Sequence, residues 1–143
     1  GMTVLAGHLR ERLGAISFFI EGQPYNFTVQ LLNDLFGIQT RGGCSCAGTY
    51  GHYLLDMDME ASHLALSKVL HGDAGARPGW VRLSIHPTHT DAELKYIVEA
   101  IKYVAEQGNS LAEEYEWDRS CNLFRHKKHQ YHTSAIVDQW FMI

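Results

Sequence analysis

The chain has 143 residues, of which 45% are hydrophobic and 20% charged, with a formal net charge of −4. These values suit one globular domain around one core, and they remove any electrostatic case for nucleic acid. Neither a membrane-spanning apolar run nor a secretory leader is present, and three cysteines, an odd number, form no disulfide framework; a cytoplasmic setting is expected. Gly1 before Met2 reads as a cloning remnant.

In chain order, Ala15 to Glu21 predicts a strand, with Ile16, Phe18 and Ile20 on one face. Apolar spacing then predicts a helix from Tyr25 to Phe36, stopped by Gly37. Ile38 to Arg41 reads as extended chain, followed by a glycine loop from Thr40 to His52. His63 to Leu70 is a weaker helix, and Asp73 to Gly79 is a loop. From Trp80 to His86 the pattern alternates: Val81, Leu83 and Ile85 face one way, Trp80, Arg82, Ser84 and His86 the other. Thr90 to Glu93 is a capping box. It opens a helix whose stripe is Leu94, Ile97, Val98, Ile101, Val104 and Ala105, up to Gly108. A further helix is expected from Ser110 to about Trp117. Beyond Asp118 the pattern fades into a histidine-rich, basic segment, then an apolar stretch from Ala135 to Ile143 that is expected to dock. The predicted class is α+β, a single domain over residues 1–143 with a small sheet, helices on one face and a basic extension over 119–143.

The loop Thr40-Arg41-Gly42-Gly43-Cys44-Ser45-Cys46-Ala47-Gly48-Thr49-Tyr50-Gly51-His52 offers little bulk for a core. Its glycines free the backbone, and Arg41 places a cation near two thiols, a setting that favours thiolate. Cys44 and Cys46 are also readable as small buried residues, or with His52 as a metal site, although C-x-C plus one histidine is poor zinc spacing. Farther on, His126 and His129 would share a face on a helix and could hold a metal; a solvated basic segment is the plainer reading.

Arg82 stands mid-strand, opposite the face bearing Val81, Leu83 and Ile85. A guanidinium there needs an anion, either a structural carboxylate or a ligand that its fork can clamp.

The run Arg41-Gly42-Gly43-Cys44-Ser45-Cys46-Ala47, followed by Trp80-Val81-Arg82-Leu83-Ser84 and Thr90-Asp91-Ala92-Glu93-Leu94, resembles the C-terminal small domain of class V aminotransferases. These are pyridoxal-phosphate enzymes of fold type I that include cysteine desulfurases and selenocysteine lyases, and the resemblance spans roughly Val4 to Gly108. It implies a mostly antiparallel sheet. It also implies that Arg82 binds the α-carboxylate of an amino-acid substrate, that Cys46 is the sulfur-accepting catalytic cysteine, and that Arg41 is the loop arginine beside it. Both transamination and cysteine desulfuration or lysis remain open. The cofactor's Schiff-base lysine would lie in a missing upstream large domain of about 250 residues. None of Lys68, Lys95, Lys102, Lys127 and Lys128 matches its setting, so the chain alone is expected to be inactive. Expected partners are that large domain, a small amino acid and further copies of the chain, with no nucleic acid and no membrane. The alternative is a stand-alone binding module that kept the fold without cofactor.

Overall fold

The computed structural model describes residues 1–44, 48–128 and 140. It is α+β, as the sequence predicts, with an antiparallel four-stranded sheet and four α-helices. The strands are β1 (Met2–Val4), β2 (Ala15–Ile20), β3 (Arg41–Gly43) and β4 (Trp80–Ser84), in the order β1-β2-β4-β3. The helices are α1 (Tyr25–Phe36), α2 (Gly48–Leu54), α3 (Met59–Leu70) and α4 (Asp91–Gln107). A second antiparallel pair, β5 (Tyr115–Asp118) with β6 (Leu123–His126), closes the described chain.

Helix α1 has the predicted limits because its apolar residues share one side and Gly37 takes a left-handed φ of 65° at its end. Phe27, Thr28, Leu31 and Leu32 are buried there against Phe18, Ile20, Val81 and Leu83 of the sheet. Helix α4 starts on the predicted capping box. Thr90 Oγ1 accepts from the Glu93 amide at 3.3 Å, and Glu93 Oε2 accepts from the Thr90 amide at 2.7 Å. Its stripe adds Ala100, Ile101 and Val104 to the core, whereas Val98, expected inside, is exposed. Leu31, Leu32 and Val104 are fully buried, so truncating either leucine to alanine would cost about 2–5 kcal/mol.

Three expectations are corrected. Gly48 to His52, read as part of the glycine loop, lies in helix α2, which runs on to Leu54. The helix expected from Ser110 is a 3₁₀ segment, Gly108–Glu114, that gives way to β5. Tyr115, extended at φ −113° and ψ 152°, marks that change: its ring meets Phe27 edge-on at 5.3 Å and its hydroxyl donates to Asp34 at 3.0 Å. Finally, the described start of the basic extension is not a solvated tail. Leu123 to His126 pair with β5, and Phe124 packs 4.8 Å from Phe27. His126 therefore sits on a strand, half-buried, with Nε2 at 3.3 Å from Glu114; His129 and His132 lie outside the described residues.

Among the described residues no helix is long and apolar enough to cross a membrane.

Candidate functional site

Strand β4 is central, and its alternation sends Val81 and Leu83 to the helical core and Trp80, Arg82 and Ser84 to the opposite face. Register places Arg82 directly between Ser17 of β2 and Arg41 of β3. Directly opposed residues share a face, so the two arginines predicted from sequence stand side by side on adjacent strands. Cys46, the third predicted residue, lies outside the described residues.

Strand β3 is held where it is by its glycines. A Cβ on Gly42 would stand 2.8 Å from Asn26 Oδ1 and 2.9 Å from Tyr25 Cδ2, so only glycine lets the strand lie this close to α1. Gly43 has a φ of 117°, a conformation that lets the chain turn off the strand toward Cys44. The backbone thus presents Arg41 on one face while its neighbour packs on the other.

Arg82 is half-buried, and its Nε is sealed from water with no hydrogen-bond partner among the described residues. Neither Arg82 nor Arg41 has a carboxylate within bonding distance among the described residues; the ion pairs there join Gly1 with Glu21, Lys95 with Glu99, Arg119 with Asp73 and His126 with Glu114. Like charges set opposite one another in a sheet are destabilising, and a buried guanidinium nitrogen without an acceptor is more so. The sequence alternative of a structural carboxylate is therefore not what meets Arg82 within the described chain.

Among the described residues three hollows lie around the sheet, and neither Arg41 nor Arg82 lines any of them. One of about 220 Å³ lies beside Ser17, with Leu5, Leu9, Tyr50 and Leu54 for walls and Arg12 at its rim. A second, of about 180 Å³, is lined by Cys44, His52, Arg77 and Trp80, where α2 crosses the sheet. Trp80 is 4% exposed because Gly51 brings α2 against it; a Cβ there would touch the indole at 3.4 Å. Cys44 is exposed at this edge. His52 is oriented by Ser62, whose Oγ is 3.3 Å from Nδ1. The third hollow, about 280 Å³, is shared by Tyr25, Arg77, Trp117 and Asn122.

Tyr25 and Arg77 escape the sequence reading. Tyr25 looks there like an ordinary first-turn residue, and Arg77-Pro78-Gly79 like loop filler. In the fold, burial pushes the Tyr25 phenol above its usual range, opposed by the Asn122 amide, with Cys44 raising it further and Arg77 lowering it. A Cβ on Gly79 would stand 2.7 Å from the Tyr25 ring, so Gly79 is the one signal that something large lies over that loop.

Among the described residues no cluster of three or more histidine, cysteine or acidic groups could hold a metal. All five lysines are exposed, and none lines the three hollows described, so the donor set does not fit a Schiff-base cofactor within this chain. The chain matches no protein-family model and no curated protein.

Proposed function

We propose that this chain is the small C-terminal domain of a class V, pyridoxal-phosphate-dependent aminotransferase-like enzyme. Its contribution is substrate-carboxylate binding by Arg82, with Arg41 beside it, and a catalytic loop cysteine, Cys46. The observation that carries this reading is the sealed, unpartnered Nε of Arg82 on the sheet face away from the core. A guanidinium whose Nε is shielded from water and lacks an acceptor favours an anion at its open side, and a carboxylate matches its fork.

The cofactor lysine belongs to a preceding large domain, so no step of the chemistry is assigned to residues here. Amino-acid turnover, whether transamination or desulfuration, and a cytoplasmic location are parts of the same proposal. Helix α3 supports a missing partner: it has no buried residue, its contacts run mainly to the turn at Ala74–Ala76, and Leu70 is 75% exposed. Apolar helix faces left this open are ordinarily covered.

The test is to express the chain together with the reading frame upstream of it. A yellow, cofactor-loaded protein whose amino-acid turnover falls about a hundredfold or more in Arg82→Gln supports the reading. An upstream frame without a lysine-bearing large domain, or an Arg82→Gln enzyme as active as the parent, overturns it.

A further inference from the structure

We infer that the Arg41–Arg82 pair is a dianion site, and that the amino acid it serves carries a second carboxylate. The inference rests on Arg82 as the α-carboxylate residue and adds a role for Arg41. One carboxylate accounts for one fork. Here two guanidinium-bearing side chains rise from directly opposed positions on β3 and β4, with Cα atoms about 5 Å apart as in any antiparallel pair. Neither has a carboxylate partner among the described residues. Nor does the same face of the neighbouring strands supply one. Ser17 flanks Arg82 on β2, and beyond β2 the next acid in that direction, Glu21, is four residues on, about 13 Å along the chain. Glu21 is also already engaged by the amino terminus at 3.5 Å. Arg12, at the rim of the hollow beside Ser17, adds a third positive charge, and its own donors go to the carbonyls of Leu9 and Ala6 instead of to an acid.

Arg41 is exposed, so water solvates it when nothing is bound, and a monocarboxylate on Arg82 would leave its fork unused. Two carboxylates on a short carbon spacer satisfy both forks, each bidentately, and relieve the repulsion between the strands. One phosphate could carry the same charge, and its binding is measured beside that of the dicarboxylate.

The experiment uses the full chain. Uniform nitrogen labelling makes the arginine Nε–H signals visible, and acetate, succinate and inorganic phosphate are titrated separately at constant ionic strength. Succinate should bind about tenfold more tightly than acetate, shifting both arginine signals. In Arg41→Gln, succinate should fall to the acetate level while acetate binding persists; in Arg82→Gln both should be lost. Amide spectra of each variant establish that it is folded, and Arg41→Lys, which keeps the charge and loses the fork, should recover only part of the selectivity. Equal affinity for acetate and succinate, with both lost in Arg82→Gln, overturns the dianion inference and leaves the carboxylate reading standing. Phosphate binding more tightly than succinate overturns it in favour of a phosphate ester. Binding of none of the three overturns both.

Discussion

The side-chain amide of Asn122 donates to the Tyr25 hydroxyl at 3.1 Å, across 97 positions of sequence. Its oxygen accepts from Trp117 Nε1 at 3.1 Å, and its backbone carbonyl accepts from Asn26 at 2.6 Å. One buried residue, in a left-handed conformation with φ of 55°, thus ties the β5–β6 hairpin to the start of α1. Replacing Asn122 with alanine should cost about 2–4 kcal/mol in urea unfolding, from lost partners and backbone strain. Asn122→Gly loses the same side-chain partners but adopts the left-handed φ without strain, so it should be the milder of the two despite having the smaller side chain. Equal losses would mean that the left-handed turn contributes nothing.

Tyr25 gives a prediction at high pH. Its phenol is held above the usual range mainly by burial, so the folded state keeps that proton longer than the unfolded chain. The stability linked to it is complete below the normal tyrosine range of about 10 and is lost as pH rises through the raised value. Ultraviolet titration should therefore show one tyrosine ionising late, near the onset of alkaline unfolding, and Tyr25→Phe should remove that late step.

Acid acts on other groups. The Arg119 guanidinium holds the Asp73 carboxyl below its usual range, the Ser120 hydroxyl does the same for Asp118, and the Thr90 amide for Glu93. Each is a depressed carboxylate, so its contribution is present above a pH of about 4 and disappears as pH falls through the lowered value. Arg119 also lies 4.3 Å from the centre of the Trp117 ring, so the same guanidinium fastens the loop at Asp73 to the hairpin. Asp73→Asn should flatten the acid limb of the stability curve and raise the hydrogen exchange of Gly75, whose amide donates to the Arg119 carbonyl at 3.1 Å. An unchanged acid limb would assign the acid sensitivity to the other two carboxylates.

The thiols should separate by neighbourhood. Cys44 leaves the strand that carries Arg41, and Cys46 follows on the same glycine-rich loop, whereas Cys121 lies beside the Asp118 carboxylate. Alkylation with peptide mapping should label the loop cysteines, Cys46 foremost, before Cys121. Cys121 labelled first would remove the loop from any thiol chemistry.

Exposed leucines on α3 lead to a further expectation. Leu64 and Leu66 are open to solvent along with Leu70, and a lone copy of this chain should associate through them at high concentration. Light scattering should show a concentration-dependent mass that Leu66→Glu with Leu70→Glu abolishes. A monomer at every concentration would refute it.

Periodicity and caps made α1, β2, β4 and α4 readable, because each carries its own start, stop and buried stripe. Phe18 and Ile20, Val81 and Leu83 all sit on the faces that alternation assigns them. What escaped depends on partners far along the chain. Helix α2 is short and holds two glycines, poor helix formers, and it lies where Gly51 meets Trp80. Strand β5 looks helical until Phe27 and Asp34 are brought to Tyr115. The arginine pair was legible only as two separate residues; Arg41 and Arg82 are 41 positions apart, and their opposition is a property of register. Tyr25 and Asn122 carry no local mark, and Arg77 only the glycine two positions on, Gly79.

Gly42 has a consequence for how Arg41 can be moved. Its missing side chain leaves the strand resting on Tyr25, Asn26 and Val29, with a Cβ only 3.1 Å from Val29 Cγ2 had one been present. The position of the Arg41 guanidinium is therefore governed through the thickness of one strand, from residues that never meet a ligand. Gly42→Ala should lift β3 off the helix at a cost of about 1–3 kcal/mol, and enlarging Val29 to phenylalanine should do the same from below. In either variant both arginines are intact, yet the spacing between them is altered. Selectivity for the length of an anion would then drift while the charge of the face stayed constant.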